Sequence, residues 1–334
     1  MGRAPAASLL WRTLVCMTAI PQRSQKVTQV RSVTAALAWV GRQTRPDLCY
    51  RVSRMQTMIK QATIKEMKEC NKILEYALQT SGQGIYFSSS GFTWDDMVVC
   101  SIGDASFGND KVLVKDEFGD GRSQQGYIVA LSSPSILNDK ESIIHPITWS
   151  STTITRACRS TLMAETFAMT KGTEAGTRIR AAIVDAKGQL DIRNWEESAA
   201  DAIGHIWFTD CDSLYEHLVS TRMNQIENKR LRIDMSALRQ QIWERGGERT
   251  ETIDYLTGDY PRWIDTSAMI ADPLTKVMNA DRMVKTFETG IFDMTPTEES
   301  LRIKEKNREC RSALRKKTKN KPSTLPEEGV ELDS

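Results

Sequence analysis

Met97-Val98-Val99-Cys100-Ser101-Ile102-Gly103-Asp104 is the stretch on which the fold turns. The apolar run 97–103 reads as a strand, and it ends on a carboxylate. Downstream, residues 126–131 and 147–150 predict second and third strands, with 133–145 as a loop. A long helix is expected from about residue 156, then a strand at 206–209 and a helix through Leu214 and Leu218. Residues 229–243 predict another helix, in which Leu231, Met235, Leu238 and Ile242 are spaced to face a core. A short strand near 252–256 and a last helix after Asp272 complete the unit. Hairpin-linked strands followed by alternating helices and strands predict an α/β sheet of mixed direction.

Upstream the texture is helical. Ala35, Leu37, Ala38 and Val40 give a short apolar helix closed by Thr44-Arg45-Pro46-Asp47, and a second runs through Val52 and Met55. A third opens at Thr63 with Glu66 three residues on, a capping box, and aligns Met67, Cys70, Leu74 and Ala77 on one face. Domain boundaries are expected at 1–26 (an unstructured or truncated start), 27–92 (helical lobe), 93–287 (α/β unit) and 288–334. The last stretch is mostly charged and reads as a solvated, disordered tail.

Of 334 residues, 40% are hydrophobic, enough for one or two domains with real cores. The formal net charge of +2 means that any grip on nucleic acid must come from local patches. The seven cysteines (Cys16, Cys49, Cys70, Cys100, Cys158, Cys211, Cys310) are scattered and never form CxxC. That argues against a disulfide framework or a zinc site and fits a reducing compartment, cytoplasmic or nuclear rather than secreted. The mildly apolar stretch from Leu9 to Ile20 is interrupted by Arg12 and is too short to span a bilayer, so no membrane partner is expected.

Acidic residues stand in positions that invite chemistry. Asp104 and Asp210 each follow an apolar strand, and strand C-terminal ends line the ligand crevice of open α/β sheets. Either aspartate alone is equally an ordinary helix cap. Glu165 falls in the stripe Cys158, Leu162, Glu165, Met169, so a carboxylate faces the core side of its helix. Such a group is rarely buried unless paired or bound to a metal; a salt bridge, or a register shifted by one residue, is the alternative. Asp272 precedes Pro273 and a helical run through Leu274, Val277 and Met278, and by periodicity it is a helix cap. Four carboxylates from separate elements suit two hard divalent cations, which take oxygen ligands. Two such ions about 3.5–4 Å apart activate water and stabilise the leaving oxygen in phosphodiester cleavage. The three histidines, His145, His205 and His217, form no pair with a nucleophile in the sequence, so Ser/His or Cys/His chemistry fits poorly.

These residues carry a resemblance. Thr44-Arg45-Pro46-Asp47-Leu48 resembles the TRPD segment after the polymerase core of copia-type reverse transcriptases, and Asn71-Lys72-Ile73-Leu74-Glu75-Tyr76 the helix that follows. Gly103-Asp104-Ala105-Ser106-Phe107 is similar to the family's "sDAdwa", and Arg122-Ser123 with Gly126-Tyr127 to "RRSTSGY". Ile147-Thr148-Trp149-Ser150-Ser151 is similar to "iSWsS", and the segment from Arg159 to Glu165 to "SSTEAE". Asp210-Cys211-Asp212-Ser213 stands where "DN.SA" does, and Ala271-Asp272-Pro273-Leu274-Thr275-Lys276 matches "ADxLTK". The series runs from Val27 to Phe287 in the family's order.

The resemblance implies the C-terminal part of a copia-type LTR retrotransposon Pol polyprotein. A reverse-transcriptase thumb or connection remnant would precede an RNase H-like domain, a mixed five-stranded sheet with flanking helices. Carried over residue by residue, Asp104, Glu165, Asp210 and Asp272 match the catalytic metal-binding carboxylates. The implied activity is hydrolysis of the RNA strand of RNA–DNA hybrids with two Mg2+ or Mn2+ ions. The implied partners are the hybrid and, in an intact element, the parent reverse transcriptase. No segment resembles the YxDD strand, so no polymerase site is expected. The histidine-rich "KHID..YH" segment stands here as Lys229-Arg230-Leu231-Arg232-Ile233-Asp234. Arg230, Arg232 and Arg239 are the candidates for phosphate contact; the alternative is the solvated face of an ordinary helix. The competing function is an inactive remnant, or a domesticated module that only binds nucleic acid or a partner.

Overall fold

The computed structural model describes residues 23–59, 63–110, 122–222, 225–244 and 257–319. Three helices come first: α1 (Arg23–Gln43), α2 (Cys49–Met58) and α3 (Ile64–Gln79). The turn after α1 is fixed by a buried fork. Arg45 donates from Nε and Nη2 to the two oxygens of Asp47 at 2.9 and 2.7 Å, and from Nη1 to the Thr80 carbonyl at 2.9 Å. The capping box of α3 is present, with the Thr63 amide donating to Glu66 Oε2 at 2.8 Å. Val30, Val33, Leu37, Val52, Met55 and Ile73 pack together as the core of these helices.

The described strands are β1 (Val98–Asp110), β2 (Arg122–Ser132), β3 (Glu141–Thr153), β4 (His205–Thr209), β5 (Asp259–Trp263) and β6 (Ile291–Asp293). They form one six-stranded mixed sheet in the order β5-β4-β1-β2-β3-β6. β1, β2 and β3 are an antiparallel meander, β1, β4 and β5 run parallel, and β6 lies antiparallel to β3. The helices that cover it are α4 (Thr161–Ala186), α5 (Trp195–Ala202), α6 (Asp212–Val219), α7 (Lys229–Glu244) and α8 (Asp281–Thr289).

Alternation assigns the two faces. Val98, Cys100 and Ile102 of β1 join Ile206 and Phe208 of β4 in one core, whereas Val99 packs on Ala175 and Val184 of α4. Trp207 joins Met163, Leu214 and Met235 on that second side. Successive strand residues point to opposite faces, so a one-residue slip would exchange both cores. All five residues of β4 are buried, as a strand covered on both faces requires.

The structure corrects several expectations. β1 continues past Gly103 because β2 keeps pairing with it, and Asp104, opposite Gly126, lies inside the strand rather than at its end. β3 begins at Glu141, and of the expected loop residues 134–137 form a 3-10 turn. α4 starts at Thr161, where Ser160 Oγ accepts from the Met163 amide at 3.2 Å. The strand expected near 252–256 lies outside the described residues, and β5 pairs with β4 just beyond it.

The helix expected after Asp272 does not begin there: Asp272–Leu274 make a single 3-10 turn, Val277 and Met278 are 70% and 47% exposed, and α8 opens only at Asp281. The carbonyls that a continuing helix needs as acceptors are taken instead. Ser151 donates to the Leu274 carbonyl at 2.5 Å and Ser106 to that of Thr275 at 2.9 Å. Residues 288–293 are not tail either. Gly290, at φ 69°, closes α8, and the chain returns as β6 with Phe292 fully buried.

Two compact units result, Met1–Thr295 and Pro296–Ser334. The helices before residue 92 therefore do not stand apart from the sheet. Trp149 Nε1 on β3 donates to the Gly41 carbonyl at 2.8 Å, and Gln124 Nε2 on β2 to Ser53 Oγ at 3.2 Å. In the second unit, where a disordered tail was expected, Glu298–Lys319 form the helix α9. Glu298 and Glu299 open it where the helix dipole favours acids. Among the described residues no helix is long and apolar enough to cross a membrane.

Candidate active site

The 3-10 turn at Asp272 is held against the sheet by contacts that only small or hydroxylated neighbours allow. A Cβ on Gly126 would stand 2.5 Å from Leu274 Cβ, so glycine is what lets the turn lie on β2. Ser106 and Ser151 grip the turn's carbonyls as above, and the Thr275 hydroxyl donates to Asp104 Oδ2. β1 thus supplies Asp104, the end of β4 supplies Asp210, and the turn supplies Asp272. One oxygen from each lies within 4.8 Å of the others. Glu165, in the second turn of α4, is 5% exposed, and its Oε2 has no hydrogen-bond partner.

The electrostatics are those of like charges crowded out of water. Burial first, and then the Asp272 charge, raises the Asp104 carboxyl above its usual range. Asp210 is pushed up to about 6 by burial and then by Asp104. Glu165 is raised well above the ordinary value by burial, followed by the charges of Asp104, Cys211, Asp210 and Asp272. Asp272 is raised by burial and by Asp210, against the pull of Lys276, whose Nζ stands 2.7 Å from its Oδ1. The donor set is all carboxylate oxygen, and its self-repulsion is what a hard divalent cation relieves. The residues therefore fit the metal that the sequence suggested.

The three arginines separate. Arg230 and Arg232 are exposed on α7. Arg230 lines an open groove of about 1190 Å3 together with Arg156, Arg159, Phe167 and Lys229. Arg239 is engaged inside the fold. Its Nη1 donates to the His217 and Leu218 carbonyls at the end of α6, and its guanidinium lies 5.6 Å from the Trp243 ring centroid. It caps a helix from a half-buried position.

Sequence pattern alone gives Thr275 and Lys276 no role, although both stand in the quoted Ala271–Lys276 segment; the four-residue spacing from Asp272 to Lys276 is the available signal. Nor does it pair a histidine with a nucleophile. The structure places Ser101 Oγ 2.7 Å from His205 Nε2, and His205 Nδ1 3.3 Å from Asp259 Oδ1. Ser101 and His205 are 1% and 0% exposed, so this is core architecture and no substrate reaches the hydroxyl.

No family model and no curated protein matches the sequence. Solved structures that resemble the chain include RNase H1 from the halophilic archaeon Halobacterium salinarum NRC-1, 15% identical, covering 53% of this chain and 93% of that one at a TM-score of 0.30. The N-terminal RNase H domain of a Mycobacterium tuberculosis protein is 14% identical, covering 57% and 97% at 0.31. An RNase H1 isolated from compost by a metagenomic approach is 12% identical, covering 54% and 93% at 0.30. These are likenesses only. The structure itself has the mixed α/β sheet with flanking helices that the sequence predicts, with six strands among the described residues where five were expected.

Proposed function

We propose that this chain is a metal-dependent nuclease that hydrolyses the RNA strand of RNA–DNA hybrids, derived from the Pol polyprotein of a copia-type retrotransposon. The observation that carries the reading is the convergence of Asp104, Asp210 and Asp272 within 4.8 Å, close enough for their charges to act on Glu165, whose buried Oε2 has no hydrogen-bond partner. Asp104, Glu165, Asp210 and Asp272 would hold two Mg2+ or Mn2+ ions. Bound there, the ions would supply an activated water and charge stabilisation of the leaving oxygen. The chain's own part is positioning. Thr275 holds Asp104, and the serine-anchored turn holds Asp272. Arg156, Arg159, Lys229 and Arg230 offer a cationic groove to a phosphate backbone, and Arg232 a further cation on the same helix. A 2′-hydroxyl would distinguish the RNA strand, and the hybrid's minor groove would be read by shape.

A second reading has one observation in its favour. Lys276 already neutralises part of the cluster, as a module that binds nucleic acid without cutting it would permit. Incubating the purified chain with an end-labelled hybrid, with Mg2+ and with chelator, separates the two. Metal-dependent cleavage of the RNA strand alone supports the nuclease; binding without cleavage at any metal concentration leaves the binding module.

A further inference from the structure

The Lys276 ammonium sits against the carboxylate cluster. Its Nζ is 2.7 Å from Asp272 Oδ1, four residues back along the turn. Among the described residues it is the cation in ion-pair contact with the carboxylate cluster. The contact is not a loose surface pair, because Asp272 is 7% exposed at its side chain whereas Lys276 is 36% exposed. The carboxylate is fixed and buried, and the lysine has a path to solvent.

Resting on the metal reading above, we propose that Lys276 is a tethered cation of the carboxylate centre, competing with divalent metal for Asp272 and so limiting how many ions the centre holds. The reasoning is linkage. Whatever Lys276 gains by pairing with Asp272 must be given up before an ion takes the same oxygen, and the coupling is reciprocal. A compact ammonium on a flexible stem suits this exchange, since it can move into water without leaving a buried cation behind. Asp104 and Asp210, which make no ion pair with the lysine, remain available to a first ion throughout.

The test counts ions as well as products. The full chain and Lys276→Met, which keeps length and removes charge, are titrated with Mn2+ by calorimetry and by the loss of free Mn2+ signal in EPR. Lys276→Gln is run beside them in case the methionine variant does not fold, and metal-free thermal midpoints are recorded. The expected result is an ion that binds the variant at least about tenfold tighter than the parent, a partly screened unit of charge. The metal-free midpoint should fall, and added Mn2+ should raise it more than in the parent. Equal stoichiometry and affinity in parent and variants, or weaker binding in both variants, overturns the proposal while leaving the nuclease reading intact. A parent that binds no Mn2+ and cleaves no hybrid overturns the nuclease reading itself, and the tethered-cation proposal with it.

Discussion

At the N-terminal end of β4, His205 stands 3.3 Å from one oxygen of Asp259, and Arg180 reaches the other at 3.4 Å. Ser101 lies 2.7 Å from the far nitrogen of the same imidazole. Beyond the C-terminal end, Asp210 meets Asp104 and Asp272 with oxygens mutually within 4.8 Å. Both groups are largely cut off from water, and they differ in charge balance. Burial pushes Asp259 up, yet His205 and Arg180 outweigh it and hold the carboxyl below its usual value. Asp104, Asp210 and Glu165 all rise, through burial first and then through the charges of acidic neighbours that no cation outweighs. A buried charge that the chain itself balances is architecture, and one that it leaves unbalanced is a place for a ligand. Glycine permits close packing at both ends: a Cβ on Gly176 would collide with His205 and Ser101, and one on Gly126 with Leu274.

The largest expected effect breaks the unbalanced end. Asp104→Asn keeps shape and one acceptor oxygen while removing a charge needed to offset dications. Hybrid cleavage should fall by more than about 100-fold, beyond what loss of an outer-shell partner costs at a metal site. The thermal midpoint should hold or rise, since a like charge has gone. Asp272→Asn should be milder, because Lys276 is released from its pair at the same time. Unchanged cleavage in Asp104→Asn would reject the site as drawn.

The balanced end should respond in the opposite way. Arg180→Met leaves Asp259 buried beside a histidine whose own protonation is disfavoured by burial. Breaking a buried pair from one side costs about 3–5 kcal/mol, read as a shift of the urea midpoint. Cleavage per folded molecule should not change. A variant as stable as the parent would show that the Arg180–Asp259 pair at 3.4 Å contributes little, and the contrast between the two ends would lose its structural half.

How much of this the sequence showed depends on range. The apolar runs at 97–103 and 206–209 announced β1 and β4, because a strand buried on both faces leaves a signal in every residue. Of the stripe Cys158, Leu162, Glu165 and Met169, the last two are buried on α4, whereas Cys158 precedes the helix and Leu162 is half-buried. Asp272 misled, since Asp-Pro before an apolar run is the usual start of a helix. What stopped the helix was Ser106 and Ser151, whose hydroxyls come from strands more than 100 residues away in sequence. The Ser101–His205–Asp259 contact was invisible for the same reason: its members lie on three strands, and only the parallel register of β1, β4 and β5 sets His205 opposite Asp259 and diagonal to Ser101.

A pH series sharpens the contrast with a smaller effect. Asp210 ionises in the fold at about 6, above the ordinary 3.8, through burial and then the charge of Asp104. A carboxyl raised in the fold means that the native state binds more protons than the unfolded one. Stability of the metal-free chain should therefore decline as pH rises from about 4 toward 6. Mg2+ should flatten that decline, because the ion favours the ionised form. Thermal midpoints in chelator and in Mg2+ across this range, for the parent and for Asp210→Asn, provide the check. A metal-free midpoint that climbs through the window with the same slope in both proteins would contradict the repulsion inferred here.

The smallest effect concerns cations, where the same distinction applies on one helix. Arg239 on α7 is balanced by the α6 carbonyls and the Trp243 ring, whereas Arg230 and Arg232 are exposed. If exposed cations meet phosphate, replacing Arg230 and Arg232 together by alanine should weaken hybrid binding a few-fold. The slope of log affinity against log salt should also flatten, by roughly 0.7–0.9 for each phosphate that is no longer neutralised. Arg239→Ala should leave that slope alone and instead cost about 1–2 kcal/mol of stability, as hydrogen bonds from a charged donor are removed. Fluorescence anisotropy with a labelled hybrid across a salt series, with unfolding curves for the same proteins, measures both quantities at once. A flattened salt slope in Arg239→Ala, with none in the double variant, would reverse the assignment and place the phosphate contact on the residue that caps the helix.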